Sequence, residues 1–274
     1  MTEESYSLPT FTMTQYNLYR LDDWIFWFLL ISGLTFCMIH AVRRAFRQPS
    51  PTEPGEEGST LAVGEIERHT LFQRILHWSN AVAVITLTIS GWMIYRPLSP
   101  GRAASVWFFW HRWAAVLLLV GLAFHSIYES FIVDRPNPMA VSHAQARRIS
   151  AILKNFLGLS SYYPRLSKYH PGQIFFHWVV AGNLSLLALT GFIIWKPFRD
   201  LLPLSLLGLG WNFIFYNRSL HGFFSATLIA SLFAHIYFAL LIKKNWKETK
   251  SMFTGRVPSH EYLRSHHLDE NVIL

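Results

Sequence analysis

Between residues 220 and 243 the chain reads LHGFFSATLIASLFAHIYFALLIK, an apolar stretch with no charge between its ends and two histidines inside it, His221 and His235. This stretch limits the fold more than any other. About 20 consecutive apolar residues are what a single helix needs to cross a bilayer core. At about 1.5 Å rise the two imidazoles lie about 21 Å apart along the axis and about 40° short of four full turns, so both leave one face. Neutral imidazole is a poor lipid neighbour, and an ionisable group at membrane depth turns to a bundle interior as a functional site by default. A buried helix of a soluble core accounts for one such stretch but not for its repetition. Residues 107–128, WFFWHRWAAVLLLVGLAFHSIY, place His111 and His125 at the same spacing.

Two helices that each offer imidazoles at two depths are suited to holding haem irons from both sides, and haem b is the cofactor this pattern predicts. A single cysteine, Cys37, excludes an intrachain disulfide, a Cys-x-x-Cys-His haem attachment and an iron–sulfur cluster built from this chain alone. Charged residues make up 15% of the chain, against about 25% in average soluble proteins. That deficit favours one integral membrane domain over two soluble ones. The net charge of +8 does not indicate a nucleic-acid partner, because the basic residues flank the apolar runs. That placement is the topology signal of a chain embedded in lipid.

The expected fold is all-α, with five transmembrane helices at about 24–42, 71–95, 106–130, 174–196 and 220–243. Residues 1–48 form a tail and a first helix, 49–70 a polar linker, 71–245 a four-helix haem-binding bundle and 246–274 a C-terminal tail. The first helix follows Asp22 and Asp23 and ends at Arg43 and Arg44, the reverse of a signal peptide's charge order, so it reads as retained. Alternating the five spans puts 17 Lys/Arg on one side and 7 on the other. The excess marks the cytoplasmic side. It predicts a multi-pass protein of the bacterial cytoplasmic membrane, N-terminus outside and C-terminus inside. His40, beside Arg43, reads as a snorkelling interfacial residue.

The bundle also repeats itself. QRILHW at 73–78 answers QIFFHW at 173–178, and SGWMIYRP at 90–97 answers TGFIIWKP at 190–197. His111 and His125 answer His221 and His235 in the same way. Two similar helix hairpins make the core, as duplication of a two-helix unit would produce. The single glycines of SGW and TGF read as helix-packing positions. By depth, His111 and His221 fall near the outer face and predict one haem between them. His77, His125, His177 and His235 fall toward the cytoplasmic half, where several pairings fit; spacing alone favours His125 with His235.

The FxRxxHW stretch (Phe72, Arg74, His77, Trp78), Gly172–Gln173, GFIIWKP and the LHGFFSATLIASLFAHIYFALLIK…GRVPSHEYLRSHH ending resemble the cytochrome b (gamma) subunit of respiratory formate dehydrogenases. The resemblance runs from about residue 66 to 268. The cytochrome b subunits of nickel–iron hydrogenases and thiosulfate reductases share the architecture. It implies an outer haem on His111 and His221 and an inner haem on His77 and His235. It also implies an iron–sulfur subunit and a molybdenum or tungsten catalytic subunit as partners, and a quinone, menaquinone or ubiquinone, as the redox partner in the membrane. The quinone site it implies lies at His170, Gly172 and Gln173, where the family has an Asn-x-Gly-Gln stretch and this chain has His170 in place of the asparagine.

The chain departs from that family in its added first helix, expected on the outside of the bundle, and in its histidines at 125 and 177. The repeat maps His177 and His125 onto His77 and His235, so a third haem b is geometrically licensed there. A pair hydrogen-bonded within the bundle, or His125 replacing His77 as the inner ligand, are the alternatives. Bis-imidazole ligation fills both axial positions of the iron, which suits electron transfer. A histidine-relay transporter and a purely structural anchor are the rival readings from other classes; haem absorbance separates out the first, and histidine-to-alanine changes the second.

Overall fold

The computed structural model describes residues 13–46, 64–95, 102–128, 169–201 and 211–259, with short pieces at 147, 149–152, 154 and 159–160. Within them the apolar runs form long helices: α1 Met13–Phe46, α2 Leu71–Tyr95, α3 Arg102–Ile127, α4 Pro171–Ile194 and, after the short α5 Lys196–Arg199, α6 Trp211–Ile236. The chain then closes with α7 Trp246–Thr254 and a ribbon in which β2 Arg256–Pro258 pairs antiparallel with β1 Glu65–Glu67. Parts of the expected linker and tail lie outside the described residues, as do His143, His260, His266 and His267, which the sequence places in solvated segments.

Stretches of α1, α3, α4 and α6 are long and apolar enough to cross a membrane. α2 has 25 residues, but its first turns carry Gln73, Arg74, His77, Ser79 and Asn80, which dilute its apolar character. The distribution of side chains is that of a protein in lipid. Trp24 and Phe28 of α1 are each 70% exposed, while Ser90, Asn183, Thr190 and Asn217 are buried. Large apolar groups outside and small polar groups inside invert the pattern of a water-soluble domain.

The described chain divides into two compact units, one of Met1–Ile39 with Gly182–Ala234 and one of His40–Ala181 with His235–Leu274. In the second unit α2 and α3 form an antiparallel hairpin. Phe72 packs on Tyr128 with ring centroids 4.4 Å apart, Asn80 lies against Gly121 and Gly91 against His111. In the first unit Gly33 of α1 sits against Ala230, where an added Cβ would lie 3.4 Å from the Ala230 Cβ. In the second unit His40 hydrogen-bonds the Tyr237 hydroxyl at 2.9 Å. His40, read from the sequence as an interfacial residue, thus also has a protein partner in the buried Tyr237.

Both hairpins start with a reciprocal cap. Thr70 N–H donates to Gln73 Oε1 (3.2 Å) and Gln73 N–H to Thr70 Oγ1 (3.3 Å). At α4, His170 N–H donates to Gln173 Oε1 (2.8 Å) and Gly172 N–H to His170 Nδ1 (2.9 Å). Each glutamine therefore serves as the third helical residue of a capping box, and Pro171 takes the first position, where its missing N–H costs nothing. α4 accordingly begins at Pro171 rather than near 174, with Gly172 and Gln173 inside its first turn.

At its far end α6 widens into a π turn over Tyr237–Leu241. Such a turn frees carbonyls from the regular ladder, and nearby side chains take them up. Asn245 Nδ2 donates to the Phe238 carbonyl (3.0 Å), Trp246 Nε1 to Leu240 (2.7 Å) and Thr249 Oγ1 to Ala239 (2.9 Å). α7 is then fastened to α2, with Trp78 Nε1 donating to the Met252 carbonyl at 3.0 Å and Arg74 Nη1 to that of Phe253. Gly255 ends α7 at φ 84°, a left-handed value. A Cβ there would meet the His69 carbonyl at 2.9 Å, and the Gly255 carbonyl accepts from the N–H of Arg68 and His69. Only glycine combines that backbone with that approach. Ile66 and Val257, opposite each other in the ribbon, are buried.

Candidate functional site

The histidines of the second unit come together in pairs. His77 of α2 and His235 of α6 have ring centroids 6.2 Å apart, and His125 of α3 and His177 of α4 have theirs 6.1 Å apart. A direct N–H···N bond between imidazoles leaves ring centres at most about 5.5 Å apart, given about 3.2 Å between nitrogens. A metal bonded to both nitrogens at about 2 Å places the ring centres about 6.3 Å apart. The observed separations match the second geometry. Both separations leave room for a metal between the rings, and haem b, which asks for no cysteine, would suit such a donor set and supply a one-electron iron couple there. Among the described residues no group of three or more His, Cys, Asp or Glu is assembled, as a tetrahedral metal site would need. The pairing that spacing alone favoured, His125 with His235, is not one of these. His235 is further oriented by Phe176, stacked on it at 5.4 Å with planes 14° apart.

His111 and His221 belong to different units, yet their surroundings repeat. Ser90 Oγ lies 2.9 Å from His111 Nδ1, and Thr190 Oγ1 lies 2.8 Å from His221 Nδ1. The adjacent glycine makes room for each ring: an added Cβ would meet Cε1 of His111 at 3.3 Å from Gly91, and Cε1 of His221 at 3.5 Å from Gly191. The SGW glycine therefore seats an imidazole closely, whereas at the TGF glycine a Cβ would make only an ordinary contact with the ring. Buried Asn217, one turn before His221, donates to the Thr190 carbonyl at 2.8 Å. Ser90, Thr190 and Asn217 escaped sequence reasoning, although the shared hydroxyl–glycine pair at 90–91 and 190–191 was the signal for two of them.

α6 begins at Trp211, so His221 sits ten residues into the helix, and His111 sits nine into α3. Both helices begin earlier than the sequence suggested, at Arg102 rather than about 106 and at Trp211 rather than about 220. Asn217 lies inside that helix, with its side chain bonded to the Thr190 carbonyl.

The residues expected at the quinone site meet at the α4 cap. Gln173 uses both ends of its amide, accepting from His170 N–H and donating from Nε2 to Glu248 Oε2 at 3.1 Å. Glu248 also pairs with buried Arg68 at 3.4 Å. Because His170 Nδ1 accepts from Gly172, its ring proton resides on Nε2. The imidazole is a donor there.

Apolar helices whose imidazoles meet in pairs, with small polar groups buried among them, have the pattern of a membrane cytochrome of the b type. The chain belongs to the prokaryotic cytochrome b561 family, whose model matches residues 68–255. It is accordingly a multi-pass membrane electron-transfer protein that binds b haem. It is also similar to the cytochrome b556(Fdn) subunit of the nitrate-inducible formate dehydrogenase of Escherichia coli K12, at 28% identity over 103 residues, 37% of this chain and 42% of the relative. The same subunit from Shigella flexneri matches with the same identity and coverage. The matched segment spans about two-fifths of those relatives' length.

Proposed function

We propose that this chain relays electrons between an iron–sulfur partner and a membrane quinone, menaquinone or ubiquinone, with the dehydrogenase chemistry in a molybdenum or tungsten subunit beyond the partner. Formate dehydrogenase is the assembly that the similar subunits name; the cytochrome b of a nickel–iron hydrogenase or thiosulfate reductase is the sister alternative. The observation that carries the reading is the pair of imidazole couples spaced 6.2 and 6.1 Å apart. Bound haem supplies a one-electron iron couple with both axial positions filled.

In this reading His77 and His235 hold the inner haem, and His111 and His221 the outer one, the second pairing resting on the family resemblance and the matched hydroxyl–glycine pairs. His125 and His177 hold a third haem, since their separation equals that of the inner pair to within 0.1 Å. The quinone is bound at the α4 cap, with His170 Nε2–H as donor to a carbonyl oxygen while Gly172 and Gln173 keep that ring and turn in place. Five helices cross the membrane with the N-terminus outside and the C-terminus in the cytoplasm, which puts the quinone's proton supply on the cytoplasmic side. That orientation rests on the charge bias, and a reporter fused after Leu274 that is active only outside the cytoplasm defeats it.

Haem-to-protein stoichiometry by pyridine haemochrome on the purified chain tests the ligand assignment. Three haems per chain is the expected value. Two removes the His125/His177 site, and none removes the reading altogether.

A further inference from the structure

The hydroxyls beside His111 and His221 decide more than the rings' positions. Ser90 Oγ lies 2.6 Å from the Thr86 carbonyl, one turn earlier in its own helix, and Thr190 Oγ1 lies 2.8 Å from that of Leu186. A carbonyl only accepts, so at these distances each hydroxyl spends its single proton on the helix backbone. Toward the imidazole the hydroxyl oxygen can then only accept, and the proton between them belongs to the histidine. Ser90 is 1% exposed and Thr190 4%, so water does not reverse this assignment. His111 and His221 are therefore both Nδ1–H tautomers, with the lone pair on Nε2.

We propose that Ser90 and Thr190 are positioning residues that lock these two imidazoles in the one tautomer able to bind iron through Nε2, and that they set the basicity of the ligand. The proposal rests on the outer-haem reading above. A ligating histidine that donates its second N–H to a fixed acceptor is held in tautomer and orientation and becomes a stronger donor to the metal. A stronger donor favours the ferric state. Each hydroxyl acts only through its histidine. The two latches sit at equivalent places in the repeated hairpins, one serine and one threonine, so the shared feature is the hydroxyl and not the residue.

The test is a redox titration and low-spin electron paramagnetic resonance of the membrane-embedded chain carrying Ser90→Ala, Thr190→Ala or both, with Ser90→Thr and Thr190→Ser as conservative controls. In each alanine variant one haem is expected to shift about tenfold toward the ferrous form at fixed potential, equal to about 59 mV upward for one electron. Its ferric signal moves with it, the other haems stay in place, and both conservative variants match the parent. Selective loss of that one haem, restored by the conservative variant, supports the same role. Unchanged potential and signal in an alanine variant that retains its haem overturns the latch, as does loss of all haems that the conservative variant fails to restore. His111→Ala is the separate control: if every haem survives it, the ligand reading fails rather than the latch.

Discussion

His235→Ala is expected to abolish one b haem completely and leave the others bound, and His77→Ala to abolish the same one. The two rings, from α6 and α2, lie with centroids 6.2 Å apart, the spacing on which the proposed shared iron rests. Losing either leaves one axial bond of two, and tetrapyrrole retention in a lipid-embedded bundle rests largely on that pair of bonds. His125→Ala and His177→Ala are expected to remove a different haem, again a common one. The measurement is haem content with the low-temperature α-band spectrum of each purified variant, since the separate haems contribute separate bands. If His125→Ala and His235→Ala remove the same haem while His77→Ala removes none, the inner ligands are the pair that spacing alone favoured, and the ring geometry has misled.

The second large effect lies at His170. Its ring does two jobs: Nδ1 caps the α4 N-terminus through Gly172, and the tautomer this imposes makes Nε2–H a donor. His170→Leu loses both, so a fall in quinone reduction there would not distinguish them. Aspartate is a strong N-cap residue yet, when ionised, accepts only. His170→Asp is therefore expected to keep the helix and its thermal stability while cutting quinone reduction by about tenfold or more, the scale of a lost hydrogen bond worth about 1.5 kcal/mol. Asparagine both caps and donates, so His170→Asn is expected to stay within about threefold of the parent. Steady-state quinone reduction with reduced chain, beside a melting curve, reads both quantities. Parent-like turnover by the aspartate variant would place the quinone elsewhere.

Gln173 illustrates how a residue singled out by a motif takes on a structural role that the motif does not show. From the sequence it is one of the residues of the implied quinone site. In the structure its carbonyl closes a capping box and its amide holds Glu248, which in turn pairs with Arg68. Gln73 performs the same capping at α2. The repeated glutamine is thus first a feature of helix initiation, and the quinone proposal leans on His170 for its donor.

What the sequence determined by itself follows from patterns local to single helices. Apolar length, the histidine spacings and the repeat of QRILHW in QIFFHW are properties of one helix or one hairpin, and a 3.6-residue period turns them into faces and depths. They gave the long apolar helices, the cytochrome b family and the candidate histidines. Which imidazole meets which is a different kind of fact. His77 lies beside His235 and His125 beside His177 only because helices far apart in sequence pack at particular rotations, and periodicity within a helix says nothing about its neighbour's register. The same holds for Ser90 and Thr190, whose hydroxyls gain meaning from rings 21 and 31 residues away. It holds too for the ribbon of Glu65–Glu67 with Arg256–Pro258, two short segments without any apolar period, paired across the whole bundle sequence. Interhelix register is set by the summed packing of many side chains, and tertiary structure alone decides it.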